Sequence, residues 1–114
     1  MPEDCLFCQI AKSEMTSEIL YRDNQSFVIR DINPRAPSHL LVIPLQHFTY
    51  LNNVTTDTEG LVGHLFSVAK EMAWREGISD GGYRVTINQG NNAGQTFQHL
   101  HLHVLGGRML GPEG

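Results

Sequence analysis

Short apolar or alternating runs mark the strands of this chain, and two stretches carry helical spacing. EILYRD (18–23) and SFVIRD (26–31) read as two strands joined through Asn24 and Gln25 in a hairpin turn. NPRAPS is a stiff, proline-punctuated loop, and HLLVIP after it is a continuous apolar strand that Pro44 ends. Near the start, Leu6, Phe7 and Ile10 fall close to one face of a short helical turn. The stronger helix signal is TDTEGLVGHLFSVAKEMAWREG (56–77). There Thr56 and Glu59 have capping-box spacing, and Gly77 suits the C-terminal cap. Leu61, Leu65, Ala69, Met72 and Ala73 recur at helical intervals and should face a sheet. Gly60 and Gly63 weaken the helix, which points to a close packing contact there. YRVTINQG (83–90) follows as a strand, NNAGQT as a Gly/Asn loop, and FQHLHLHVLGG (97–107) as the last strand. The order β-β-β-α-β-β, mostly with short connections, predicts one antiparallel α+β domain over residues 1–114.

The last strand carries the chemistry. Alternation places Leu100, Leu102 and Val104 under the long helix and His99, His101 and His103 on the opposite face. A merely polar face would hardly use imidazole in strict alternation. A metal site on all three is disfavoured by geometry. Positions i and i+4 of a strand lie about 13 Å apart at roughly 3.3 Å per residue, too far to converge on one ion with Zn–N near ~2.0 Å. Nucleophilic catalysis at phosphorus fits better, because neutral imidazole attacks well near neutral pH and its neighbours can donate to phosphate oxygens. The preceding NQGNNAGQT supplies glycines for close backbone approach, together with amide and hydroxyl donors.

Composition narrows the partners. A chain of 114 residues with 40% apolar content supports one core. Its longest apolar runs fall short of a membrane span, and acids precede the first apolar residues, unlike a basic leader. The expected location is cytoplasmic. A net charge of −4 without a Lys/Arg run argues against nucleic acid and leaves room for a small phosphorylated ligand. Two cysteines in such a compartment point to metal or redox chemistry before a disulfide.

HLHLHVL is similar to the His-φ-His-φ-His-φ-φ motif (φ apolar) of the histidine triad superfamily of nucleotide hydrolases and transferases. DINPRAPSHLLVIP resembles the family's segment through its central strand, GYRVTINQGNNAGQT its phosphate loop, and HVLGGRMLGP the ending of the Hint-like branch, the purine nucleoside phosphoramidase type. The resemblance implies a five-stranded antiparallel sheet with a short N-terminal helix and one long helix, assembled as a homodimer. His101 would attack the α-phosphorus of a nucleoside phosphoramidate and form a nucleotidyl-histidine that water cleaves. The His99 carbonyl would set the tautomer of His101, and His39 would support the nucleophile. His103 would bind phosphate oxygens with Asn88, Gly94, Gln95 and Thr96. Asp31 would hold the ribose, and Leu6, Phe7, Ile10 and Ile32 the purine, although these four also read as ordinary core.

CLFC offers two metal ligands, and His47 and His99 are candidates for the other two. Bacterial-type members of the superfamily use such a set, so the resemblance implies a structural Zn²⁺ on Cys5, Cys8, His47 and His99, with catalysis needing no cofactor. The alternative is two inert thiols. SEMTSE (13–18) replaces a usual Ile-Pro and unsettles the base pocket near Met15, the tail MLGPEG is short and lacks an aromatic, which argues against a role in choosing the leaving group, and Gln98 has no explanation in the sequence. His64 reads as a surface or interface contact, and Trp74 as core or dimer packing. Two competing functions remain: a dinucleoside polyphosphate hydrolase, and a non-catalytic nucleotide-binding module.

Overall fold

The computed structural model describes residues 5–12 and 18–113, so the expectation for Met15 lies outside the described residues. Helix α1 spans Leu6–Ala11, and strands β1 (Ile19–Arg22), β2 (Ser26–Arg30) and β3 (Ser38–Pro44) follow. Helix α2 spans Glu59–Arg75, and β4 (Tyr83–Thr86) and β5 (Leu102–Gly106) complete the sheet. The strands form one antiparallel sheet, as the sequence pattern predicted, and the five strands lie in the order β1-β2-β3-β5-β4. Among the described residues, no helix is long and apolar enough to cross a membrane.

Each face of the sheet has its own core. Val28, Leu40, Val42, Leu102 and Val104 pack against Leu65, Val68, Ala69, Met72 and Ala73 of α2. On the other face Phe27, Ile29, Leu41 and Ile43 pack against Phe7 and Ile10 of α1. The alternation of β3 therefore feeds two apolar layers, which is why all seven of its residues are buried.

Several local expectations change. The capping box at Thr56 does not form: α2 starts at Glu59, and the turn before it is held by Thr58 Oγ1, which accepts from the Thr55 amide. A Cβ at Gly60 or Gly63 would meet nothing within 4 Å, so no close contact explains those glycines. Gly77 does end α2, at φ +74, with the Ile78 amide donating to the Ala73 carbonyl. Trp74 is 70% exposed, which removes it from the core. His64 Nε2 sits 2.7 Å from Asp23 Oδ2, tying α2 to the β1–β2 turn. Asp23 builds that turn by accepting from the amides of Gln25 and Ser26. Burial alone would raise its pKa, but those amides, His64 and Tyr21 hold the carboxyl far below the usual range.

β5 is shorter than the pattern predicts, and this matters for the site. Pairing with β3 stops at Val42↔Leu102, so His99 and His101 precede the ladder and only His103 lies in it. Leu100 still reaches the backbone by donating to the Phe48 carbonyl. The His99 carbonyl, released from pairing, is free to accept a side-chain donor.

Candidate active site and metal centre

The histidines fall on the face opposite α2, as alternation requires, yet none is exposed. His99, His101 and His103 are 0%, 6% and 6% exposed, and His39 on β3 is 2% exposed. Each ring therefore needs at least one partner inside the protein.

Those partners fix the tautomers. His101 Nδ1 lies 2.7 Å from the His99 carbonyl oxygen and must donate to it. Its Nε2 is left as a lone pair, the form that attacks an electrophile. Burial pushes the His101 pKa down, against the opposing pull of that carbonyl, and keeps the ring neutral near pH 7. Phe7 and Phe97 flank it edge-on, with ring centroids 5.2 and 6.2 Å away.

A second chain of bonds orients His103. The Arg35 amide donates to His39 Nδ1 at 3.1 Å, so His39 carries its proton on Nε2 and donates to His103 Nδ1 at 2.9 Å. Asp31 Oδ2 lies 3.4 Å from the same His39 nitrogen, and Asp31 Oδ1 accepts from the Asn33 amide. His103 then bears its proton on Nε2, which is 3.4 Å from Asn88 Nδ2. Both are donors, so they do not bond to each other, and an oxygen placed between them accepts from both. Burial first, then the charges of His101, His39 and Arg35, lower the His103 pKa to about 4. The structure thus places His39 on His103 rather than on His101.

The phosphate loop (88–96) is braced from within. Gly90 and Gly94 adopt φ +81 and +76, around the short 3₁₀ turn Asn91–Ala93. Gln95 Oε1 accepts from the Gly90 amide, while its Nε2 donates to the carbonyls of Thr49 and Phe97. The Gln95 side chain is therefore engaged in bracing the loop. Thr96 is exposed. With Cys5, Leu6, Thr49, Phe97 and Gln98 it lines a cavity of about 320 Å³, which is where Gln98 sits.

The expected purine wall divides. Ile32 is 88% exposed. Phe7 and Ile10, at 2% and 4%, belong to the core beneath α1 and offer almost no free surface. Leu6 is half-buried beside them.

The cysteines meet two histidines from distant parts of the chain. Cys5 is the N-cap of α1, and its Sγ accepts from the Cys8 amide, which puts both sulfurs on one side of the first turn. Cys5 Sγ lies 3.3 Å from His99 Nδ1; Cys8 Sγ lies 3.3 Å from His47 Nδ1 and 3.5 Å from His99 Nδ1. All four ligand atoms fall within 4.8 Å of one another. A tetrahedral zinc with the usual Zn–S and Zn–N lengths needs edges of about 3.3–3.8 Å. The outer nitrogens are also placed for it: His99 Nε2 donates to the Pro44 carbonyl, and His47 Nε2 sits 3.0 Å from Thr49 Oγ1. Both Nδ1 lone pairs are left for a metal. Burial and the neighbouring Cys5 push the Cys8 thiol up to about 11, so metal binding must displace its proton. Asp31, His39 and His103 form a second group of possible ligands, but there the two imidazoles already bond to each other.

Sequence reasoning did not single out Arg35, Thr49 or Phe97. Arg35 was one residue of a loop, and its role appears only when β3 brings His39 against its amide. Phe97 did carry a signal, as the aromatic that opens the histidine segment.

Comparison with known proteins gives the family. The chain is 40% identical over 112 residues to the purine nucleoside phosphoramidase of Escherichia coli (strain K12), covering 98% of this chain and 94% of that protein. A HIT family hydrolase from Clostridium thermocellum superposes with a TM-score of 0.94 at 40% identity, covering 99% of this chain and 98% of the other. A zinc-bound histidine triad family protein from Mycobacterium smegmatis has a TM-score of 0.78 at 30% identity, covering 92% and 76%. Residues 12–110 match the HIT domain, and the chain belongs to that family.

Proposed function

We propose that this protein is a purine nucleoside phosphoramidase that works through a covalent nucleotidyl-histidine. The observation that carries the reading is the bond from His101 Nδ1 to the His99 carbonyl, which leaves Nε2 as a buried, neutral nucleophile. His101 Nε2 attacks the α-phosphorus, the P–N bond breaks, and the departing amine takes up a proton from solvent, which the attacking water gives back in the next step. Water then attacks the phosphorus, releasing the nucleoside monophosphate and returning the free imidazole. The Nε2–H of His103 and the amide of Asn88 hold phosphate oxygens as charge builds on them. Asp31 accepts from the ribose hydroxyls, and exposed Ile32 covers the purine. The name of the Escherichia coli relative supports the same activity. Mixing the protein with an adenosine phosphoramidate and quenching should trap a mass increase of one adenylyl group on His101. His101→Ala should lose about 10³-fold or more in kcat; equal turnover by wild type and variant would end the assignment.

Cys5, Cys8, His47 and His99 would hold a structural Zn²⁺, which crosslinks α1 to the segment carrying the nucleophile. Elemental analysis of purified protein should find about one zinc per chain. Cys8→Ser should lose it and lower the melting temperature, and a metal-free wild type would exclude the site. The homodimer is proposed on the exposed Phe66 and Trp74, eight residues apart along α2. Sedimentation at micromolar concentration should give twice the chain mass, and a monomer for Trp74→Glu; a monomeric wild type refutes it.

A further inference from the structure

The metal ligands and the nucleophile meet in one residue. His99 turns Nδ1 toward the two sulfurs, 3.3 Å from Cys5 Sγ and 3.5 Å from Cys8 Sγ. Through its backbone carbonyl the same residue accepts from His101 Nδ1 at 2.7 Å. A ligand bond at the His99 ring therefore steadies the carbonyl that sets the nucleophile's tautomer.

Helix α1 makes a second link between the two sites. Phe7 lies between the cysteines in sequence, and its ring meets His99 and His101 edge-on, with centroids 5.7 and 5.2 Å away. It also packs on Phe97 at 4.8 Å. A helix of six residues cannot hold its shape by its own hydrogen bonds and depends on what anchors it. Whatever shifts the first turn of α1 thus shifts a wall beside His101.

The cysteines themselves can adopt two states that exclude each other. Cys5 is the N-cap of α1, Cys8 lies three residues on, and their sulfurs fall within 4.8 Å. In a zinc tetrahedron with Zn–S near 2.3 Å, the two sulfurs stand about 3.8 Å apart. In a disulfide they stand about 2.05 Å apart, and neither keeps the charge that holds a metal. A C-x-x-C pair across the first turn of a helix has the spacing at which such a ring closes.

Access distinguishes the two sulfurs. Cys8 is buried, whereas Cys5 is half-buried and lines the cavity of about 320 Å³ beside Thr96, Phe97 and Gln98. Hydrogen peroxide fits there easily, because it is little larger than water, whose share of liquid volume is about 30 Å³. A partly exposed cysteine next to a buried one is the arrangement of an attacking and a resolving thiol.

We infer that Cys5 and Cys8 form a peroxide-sensitive switch, in which closing their disulfide expels the metal and loosens the His99 carbonyl that orients His101. The Cys5 sulfur attacks one peroxide oxygen, the O–O bond breaks, and hydroxide departs, leaving a sulfenic acid. The Cys8 sulfur then attacks the Cys5 sulfur, the S–O bond breaks, and a second hydroxide departs. Both hydroxides take protons from solvent, so the sulfurs lose two electrons and one peroxide becomes two waters. A dithiol reverses the step by exchange. The switch rests on the zinc reading above, which gives the sulfurs a metal to lose.

The test titrates the reduced, zinc-loaded protein with hydrogen peroxide. About one zinc per chain should pass to a chromogenic chelator. The intact mass should fall by about 2 Da, the two thiol hydrogens. With only two cysteines in the chain, an intramolecular disulfide can join no other pair. Turnover of an adenosine phosphoramidate should fall about tenfold in kcat with KM nearly unchanged, as a misplaced nucleophile requires. A dithiol with added zinc should restore all three. The His101 Nδ1 proton gives a readout that needs no turnover: its NMR signal should be sharp in the reduced protein and broaden on oxidation. Zinc retained under peroxide, or oxygen adducts in place of the disulfide, overturns the switch. A disulfide that expels zinc while turnover and the His101 signal stay unchanged also overturns it, because the nucleophile is then not coupled. If the reduced, zinc-supplemented protein holds no metal, the zinc reading falls and takes the switch with it. If no phosphoramidate is cleaved, the phosphoramidase reading falls and the His101 signal alone decides.

Discussion

Residues 99 to 104 present two sides of one segment that are almost equally buried and differ in everything else. Leu100, Leu102 and Val104 are 3%, 0% and 0% exposed, and His99, His101 and His103 are 0%, 6% and 6%. The aliphatic side joins a large cluster beneath α2, where each contact is one of many and has no direction. On the imidazole side every ring is held by a named partner: Pro44 and the cysteines for His99, the His99 carbonyl for His101, His39 and Arg35 for His103. Burial by itself does not mark the functional side. What marks it is that burial there is compensated by directional bonds, each leaving one nitrogen aimed at something else.

The sharpest way to break this contrast is Leu102→Ala. Leu102 is fully buried between two of the histidines in sequence, so truncation should remove about 3 kcal/mol of stability through lost burial and a cavity. Urea unfolding measures that loss through the shift of the midpoint at constant slope. Activity per folded molecule should hold nearly steady, because no ring loses a hydrogen-bond partner. A variant that keeps its stability and loses turnover would show that the two sides are not separable.

How much of this was legible beforehand follows the same division. The aliphatic side was readable because its rule is periodic: Leu65, Ala69, Met72 and Ala73 fall on the sheet-facing side of α2 as spacing requires. The histidine motif was legible as a pattern, and the CLFC pair as a ligand fragment. The bond from His101 to the His99 carbonyl was expected only from the family resemblance, and the remaining hydrogen-bond assignments were not legible, because they depend on where a ladder stops. β5 begins only at Leu102, so residues 97–101 precede the ladder and the His99 carbonyl is available. The strand pattern alone would have spent that carbonyl on a neighbour. His39 was likewise visible as a residue of the site, but its bond to His103 emerges from the register Leu41↔His103 beside His39↔Leu105. Gln95 and Phe7 were read as a donor and as either purine wall or core, and the sequence could not say which groups were already engaged. Composition identifies a donor or a ring, while only packing shows that the donor is already used or the ring already covered.

Acid should separate the two sides by a smaller margin. His103 ionises at about 4 in the folded protein, chiefly because burial opposes its charge, against an ordinary value of 6.5. Below pH 6.5 the unfolded chain takes up a proton that the native ring refuses until pH approaches 4. The stability this neutral ring supports is fully present above pH 6.5 and is lost as pH falls through the folded pKa. The loss should be on the order of 2 kcal/mol, after allowing for partial screening. His101 is shifted in the same direction by burial, so the acid limb of kcat/KM should lie below pH 6.5. Urea midpoints at pH 7 and pH 5 measure the first effect. The cost of Leu102→Ala should be the same at both values, because no proton is involved. His103→Asn should reduce the wild-type slope between them without removing it, because burial also lowers the His99 pKa to about 4 and those of His39, His47 and His101 below the ordinary value. An unchanged slope in that variant would place the titration elsewhere and remove His103 from the account of acid sensitivity.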